Sequence, residues 1–220
     1  MSAFDLGAED RAAPPAPIRR IAVIGAGAWG TALACVAAQA RRGVTLWARN
    51  EDHAAALRAD GRNRRYLPEV AMPDSIRVTS DLGSALEDAD AVLLVVPSSA
   101  IRETAKAMAA ILPPTTPVIL CAKGIEPGSG LLMSDVAAQE LNGNPMGALS
   151  GPNFAAEAAM GHPTACTVAS DDGVEKFETA PERTVAARLA VAMGTESFRP
   201  YVSDDLVGVE VGGALKNVIA

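Results

Sequence analysis

The sequence predicts an α/β protein built on a doubly wound, mostly parallel sheet. Two observations lead there. Short apolar runs, IAVIG and AVLLVV among them, alternate with longer alanine-rich segments along the 220 residues. Strands read as unbroken apolar runs when helices cover both faces of a parallel sheet. The first run then breaks into Gly25-Ala-Gly27-Ala-Trp-Gly30 and opens a helical segment, which is the strand–turn–helix junction of Rossmann-like domains. No internal repeat or low-complexity segment competes with this reading.

The elements follow in order. Residues 21–25 form the first strand and 29–40 an alanine-rich helix. GVTLWARN is the second strand, ending in Arg49 and Asn50, and residues 51–59 make a short helix. An arginine-rich polar loop, DGRNRRYLPEVAMPDS, ends in a short strand over 76–79. Asp81 is placed to cap a helix over 81–87, because a carboxylate can accept the unpaired N–H groups of a first turn. Residues 91–95 are a strand stopped by Pro97, and 99–111 a helix closed by Pro113 and Pro114. A strand over 118–121, a helix over 131–141 and strands over 146–149 and 164–169 come next. The stretch 170–184 is charged and lacks a period, so an exposed connection is expected. A helix over 185–193 and a short strand over 197–199 follow.

From Ser203, a candidate cap, the chain reads SDDLVGVEVGGALKNVIA. This helix is apolar nearly all round and carries Gly208, Gly212 and Gly213. Isolated glycines inside a helix cost about 1 kcal/mol each relative to alanine, so they read as places where another backbone comes close. Such a helix expects partners that the chain does not supply, and the sequence reads as truncated at Ala220.

Composition narrows the function. A net charge of −7 argues against a nucleic-acid partner, since phosphate backbones select basic surfaces. A local cluster of donors can still hold a small anion. Cys35, Cys121 and Cys166 are odd in number, far apart and set in apolar segments. They read as buried free thiols without metal-ligand spacing, so no metal is expected. No apolar run approaches the roughly 20 residues that span a bilayer. Residues 1–19, rich in proline and alanine and carrying acids, lack the apolar core of a signal peptide. They read as a loose tail on a cytoplasmic protein.

The glycine motif points to a dinucleotide. Gly25 allows the tight turn, Gly27 lets the backbone approach a pyrophosphate, and Gly30 lets helix and strand pack closely. The helix N-terminus adds unpaired N–H donors for the anion. A purely structural turn is the competing reading. An acid about 20 residues on normally holds the ribose 2′-hydroxyl, but here the second strand ends in Arg49 and Asn50. Arginine can pair with a 2′-phosphate through two N–H groups, so NADPH is expected. NADH stays possible through Asn50 or Glu51, with Arg49 then a surface charge.

Reducing a carbonyl requires a proton donor for the developing alkoxide. The two histidines are poorly placed: His53 follows the second strand, on the adenosine side, and His162 falls in a turn. Of four lysines, Lys106 sits mid-helix and Lys176 in the charged connection. Lys123 ends the strand VILCAK, where open α/β sheets bind ligands. Lys216 lies in the apolar helix, where a lysine must snorkel, pair or work. Burial and a neighbouring cation would lower its pKa toward the range useful for proton transfer. A strand-end charge and a snorkelling lysine are the competing readings. SGPNFAAE, 150–157, follows a strand and enters a helix, and so offers either a second anion site or an ordinary proline-started helix.

Taken together, VIGAGAWGTALA, LWARN, NRRYLP, VVPSSAIRE, AKGIE, SGPNFAAE, PTA and VGVEVGGALKNVIA resemble the bacterial-type NAD(P)-dependent glycerol-3-phosphate dehydrogenases. The tail and residues 170–184 lie outside the match. The resemblance implies reversible reduction of dihydroxyacetone phosphate, a small anionic phosphate substrate, to sn-glycerol 3-phosphate for glycerophospholipid synthesis. It implies coenzyme contacts from Gly25, Gly27, Ala28, Trp29, Gly30, Arg49, Tyr66, Lys123 and Ala155. It implies substrate contacts from Lys123, Gly151, Asn153 and Asn217, with Lys216 the catalytic proton carrier. The family usually has serine or threonine where Asn153 stands, and asparagine reaches further. The implied division is a tail (1–19), a dinucleotide-binding domain (20–202) and the first helix of an all-helical substrate domain (203–220). The complete enzyme would be a homodimer, and this chain would bind coenzyme with little or no turnover. Two rivals remain: another reductase on the same scaffold, such as a hydroxyacid dehydrogenase or ketopantoate reductase, and a non-enzymatic NADP(H)-binding module.

Overall fold

The computed structural model describes residues 15–219, with side chains up to residue 216. The expectation of a loose tail therefore lies, for residues 1–14, outside the described residues. For residues 15–19 it is corrected. Ile18 is only 3% exposed, and Arg188 Nη2 donates to the Ala16 carbonyl at 3.0 Å.

The chain runs β1 (Arg20–Ile24), α1 (Ala28–Gln39), β2 (Gly43–Trp47), α2 (Glu51–Asp60), β3 (Arg62–Asn63), β4 (Leu67–Ala71), β5 (Ile76–Thr79), α3 (Leu82–Leu86), β6 (Ala91–Leu94) and α4 (Ile101–Ala109). It continues through β7 (Val118–Leu120), α5 (Met133–Glu140), β8 (Met146–Ser150), α6 (Ala155–Ala159), β9 (Thr164–Ser170), α7 (Val174–Thr179), α8 (Val185–Met193), β10 (Phe198–Ser203) and α9 (Leu206–Ile219). Eight strands form one sheet in the order β5-β2-β1-β6-β7-β8-β9-β10. From β5 to β8 every pairing is parallel, and the order reverses between β1 and β6. This is the 3-2-1-4-5-6 arrangement of dinucleotide-binding sheets, with its crevice at the reversal. β9 runs antiparallel to β8, and β10 is parallel to β9.

The unbroken apolar strands follow from burial on both faces. In β1, Ile21 and Val23 join the core under α1, α6 and α8, while Ala22 and Ile24 join the core under α3, α4 and α5. Burying an aliphatic side chain contributes about 1.5–3 kcal/mol, so both faces select apolar residues. α1 is buried over Gly30–Ala37. Its small side chains let α6 pack close, and Gln39 Nε2 donates to the Ala159 carbonyl at 2.9 Å. All three cysteines are buried and free. Burial pushes Cys35 up to about 11 and Cys166 to about 12, which keeps them as inert thiols. No helix among the described residues is long and apolar enough to cross a membrane.

Four local expectations are corrected. The arginine-rich loop contains the hairpin β3–β4, antiparallel with a register shift. Its buried residues Leu67 and Val70 are three apart, and Pro68 intervenes, so no two-residue period marks it. Within 170–184 lies α7, and Asp172 accepts from the Val185 N–H and the Ser170 hydroxyl. β10 extends to Ser203 rather than stopping at 199, because Pro200 is tolerated on an edge strand. Consequently Ser203 does not cap α9. Asp205 does, accepting from the Gly208 N–H at 2.7 Å, while the Ser203 hydroxyl accepts from the Asp205 N–H.

Candidate functional site

A cleft of about 1420 Å³ opens at the C-terminal ends of the parallel strands, at the reversal between β1 and β6. The glycine turn forms its floor. Gly25 has φ +122°, and a Cβ there would stand 2.9 Å from the Val95 carbonyl. A Cβ at Gly30 would stand 1.8 Å from the Gly25 carbonyl oxygen. Both positions are thus closed by the protein itself. At Gly27, the N-cap of α1, a Cβ would meet nothing within 4 Å. The space that glycine leaves open there belongs to the cleft. It is the cradle that a pyrophosphate needs, and the first-turn N–H groups of α1 supply donors and a positive dipole end.

Ala28, Trp29, Arg49, Tyr66, Lys123, Asn153 and Ala155 line the same cleft. Arg49 is exposed at the end of β2 and has no acidic partner among the described residues. Arg65 stacks over the Tyr66 ring at 5.1 Å, and His53 meets that ring edge-on at 5.6 Å. His53 is therefore on the Arg49 side, away from Lys123. Periodicity gives no sign of Asn63, the residue that holds this wall. It is fully buried, and its Nδ2 donates to the Ala26 carbonyl at 3.0 Å and to Thr31 Oγ1 at 2.8 Å. Its Oδ1 accepts from the Tyr66 N–H at 3.3 Å. One amide thus ties the hairpin to the glycine turn. Ser98, at the start of the α4 segment, also faces the cleft.

At the other end Lys123 follows β7, on a loop closed by the Ile125–Leu132 bridge. Arg102 forks between Glu126 and Glu140 at 2.6–2.9 Å, and Ser129 donates to Glu126. Arg102 and Ser129 hold the Glu126 carboxyl down to about 2. Lys123 Nζ donates to the Gly151 carbonyl at 3.0 Å. Burial, then the neighbouring Lys216 amine, lowers the Lys123 pKa from the ordinary lysine value. Lys216 Nζ lies 5.5 Å from the centre of the Phe154 ring. Asn153 Nδ2 is buried without a hydrogen-bond partner, beside Gly151, where an added Cβ would stand 3.0 Å from it. Gly151 and Lys216 thus converge on Lys123, which lines the end of the cleft. Asn217 belongs to α9, and its side chain lies outside the described residues. His162 is in the connection after α6. Lys106 is exposed on α4, and Lys176 pairs with Asp172. No cluster of metal-ligating side chains occurs among the described residues.

A doubly wound sheet with a glycine turn at its reversal point is the architecture of the dinucleotide-binding class of α/β domains. Residues 20–175 match the family described as NAD-dependent glycerol-3-phosphate dehydrogenase N-terminus, and the chain belongs to that family. It is 47% identical over 203 residues to a glycerol-3-phosphate dehydrogenase (NAD(P)+) of Rhodospirillum rubrum, covering 92% of this chain and 55% of the relative. A Chelativorans enzyme of the same name is 47% identical over 200 residues, covering 91% and 58%. The crystal structure of glycerol-3-phosphate dehydrogenase from Coxiella burnetii superimposes with a TM-score of 0.81 at 37% identity, covering 91% of this chain and 58% of that one. The chain therefore spans a little over half the length of the curated relatives it matches.

Proposed function

We propose that this chain binds NADPH, and NADH less well, in the cleft at the sheet reversal, and that it carries the coenzyme half of a reversible dihydroxyacetone phosphate reductase. The single observation behind this is the open space at Gly27, which continues from Arg49 and Tyr66 at one end to Lys123 at the other. Gly25, Gly27, Ala28, Trp29, Gly30 and Ala155 would contact the coenzyme, Arg49 its 2′-phosphate and Tyr66 its adenosine side. The bound coenzyme supplies the hydride that reduces a ketone.

The chain's own residues supply the rest. Lys216 donates the proton to the ketone oxygen as its negative charge develops. Lys123 offsets that charge and orients the substrate, and the Gly151 carbonyl fixes Lys123. Asn153, with its unpartnered Nδ2, donates to a substrate oxygen, and Asn217 stands next to Lys216. An unmade buried hydrogen bond costs about 1–3 kcal/mol, so an incoming oxygen acceptor is favoured at Asn153. Assembly as a homodimer and a cytoplasmic location belong to the same reading.

Calorimetric titration tests it. NADPH is expected to bind the 220-residue chain at one site, with Arg49→Ala weakening NADPH about tenfold and NADH much less. Equal loss for both coenzymes would remove Arg49 from the 2′-phosphate. Because the matched region covers only 55–58% of the relatives' length, this chain is expected to turn over dihydroxyacetone phosphate little or not at all. Steady-state reduction by the purified chain would contradict that.

A further inference from the structure

Helix α5 begins without a cap of its own: Leu132 holds the N-cap position and offers no side-chain acceptor. The open N–H groups of its first turn are met from another element. Glu210, on α9 and 76 residues away, accepts from the Ser134 N–H at 2.9 Å and from the Ser134 hydroxyl. The Met133 N–H also hydrogen-bonds to it. Glu210 is 7% exposed. Burial pushes its pKa up against the hydrogen bonds from Ser134 and Met133, and the Asp135 carboxylate adds to the rise. A carboxylate is costly to take out of water unless it is hydrogen-bonded, so a buried one on an otherwise apolar helix calls for a reason.

The face it shares gives the reason. Gly213 is one turn from both Glu210 and Lys216, each at a spacing of three residues, so the three wind around one side of the helix by about 60° per step. At Gly213 a Cβ would stand 2.7 Å from Ser150 Oγ and 3.6 Å from Lys123 Cγ, so α9 rests directly on the end of β8. One turn further on, Lys216 stands beside Lys123. Two amines side by side repel, and something must hold them there. The apolar contacts of Leu206 and Val209 are non-directional and leave the helix able to roll. The hydrogen bonds from Ser134 to Glu210 are directional and end at a helix N-terminus that favours negative charge.

We propose that Glu210 is a positioning residue: by capping α5 from α9 it sets the rotation and depth of α9, and so holds Lys216 at the Lys123 end of the cleft. Its catalytic relevance rests on the reading of Lys216 as proton donor, but its geometry does not. The test is the titration of Lys123 followed by NMR in the 220-residue chain carrying isotope-labelled lysine. Lys216→Ala is expected to raise the Lys123 pKa, because the neighbouring amine is gone. Glu210→Ala is expected to raise it at least as far, because α9 rolls away and Lys123 is also rehydrated. Glu210→Gln keeps an acceptor for the Ser134 N–H and a donor for its hydroxyl, and is expected to restore most of the depression.

A merely structural role would not move this titration. Leu189→Ala, which hollows the core under α8, is expected to lower the melting temperature and leave Lys123 unchanged. If Glu210→Ala does not fold, Glu210→Gln combined with Ser134→Ala leaves one weakened contact and must shift Lys123 upward. A Lys123 titration unmoved by loss of the Glu210 contacts, or unmoved by Lys216→Ala, overturns the proposal. Failure of the proton-donor reading has a separate signature: a turnover-competent form would survive Lys216→Ala, while Glu210→Ala still moved Lys123.

Discussion

A methyl group at Gly27 would meet nothing within 4 Å, whereas one at Gly30 would stand 1.8 Å from the Gly25 carbonyl oxygen. The two substitutions should therefore fail differently. Gly27→Ala is expected to fold with a stability change within about 1 kcal/mol and to lose coenzyme affinity by tenfold or more, in order-of-magnitude terms. Gly30→Ala is expected to lose at least about 2 kcal/mol of stability by overpacking. Melting curves beside coenzyme titrations check both, and an unaltered affinity in Gly27→Ala would remove the pyrophosphate from that turn. These glycines were legible in the sequence because their spacing encodes a backbone requirement. Asn63 was not. A buried amide that joins Ala26, Thr31 and Tyr66 depends on three-dimensional proximity across more than 30 residues, and it sits among arginines that read as solvent-exposed.

At the scale of elements, the strands and helices that follow a single period were readable. β5 and α8 stand where their apolar runs put them, and Asp81 caps α3 by accepting from the Ser84 N–H. The hairpin β3–β4 and the far half of β10 were not readable: each contains a proline, the hairpin pairs with a register shift that breaks any two-residue period, and β10 is held by pairing with the distant strand β9. The loop that carries Lys123 is an element in this sense too, clamped by Arg102 between Glu126 and Glu140. The Glu126 carboxyl lies near 2 rather than the ordinary 4.5. A depressed carboxyl contributes stability that is fully present above its unfolded pKa and lost as pH falls through its folded pKa. The stability gap between the native chain and Glu126→Gln is therefore expected to be constant above about pH 4.5 and to close as pH falls toward 2. Urea unfolding across that range measures it, and a gap independent of pH would mean that the clamp works by shape rather than charge.

For the whole molecule, the sheet reversal was foreshadowed by the glycine turn, but the meeting of its two ends was not. Lys123 and Lys216 are 93 residues apart, and only the packing of α9 onto the end of β8 brings them together. The apolar surplus of α9 was visible, and Val207, Val211 and Leu215 do form an exposed stripe. In any form of the protein that reduces dihydroxyacetone phosphate, Lys216→Ala is expected to lower kcat by at least about 100-fold. The coenzyme Kd should stay within about twofold. Parallel loss of coenzyme binding would make Lys216 a structural lysine instead.

The central claim is that coenzyme bound on the glycine turn reaches the lysine pair, and the chain's four lysines allow a direct check. NADPH added to the 220-residue chain with labelled lysine side chains is expected to shift the NMR signals of Lys123 and Lys216. The signals of Lys106, exposed on α4, and Lys176, paired with Asp172, should stay in place. Saturable NADPH binding that left Lys123 and Lys216 unmoved would contradict the account.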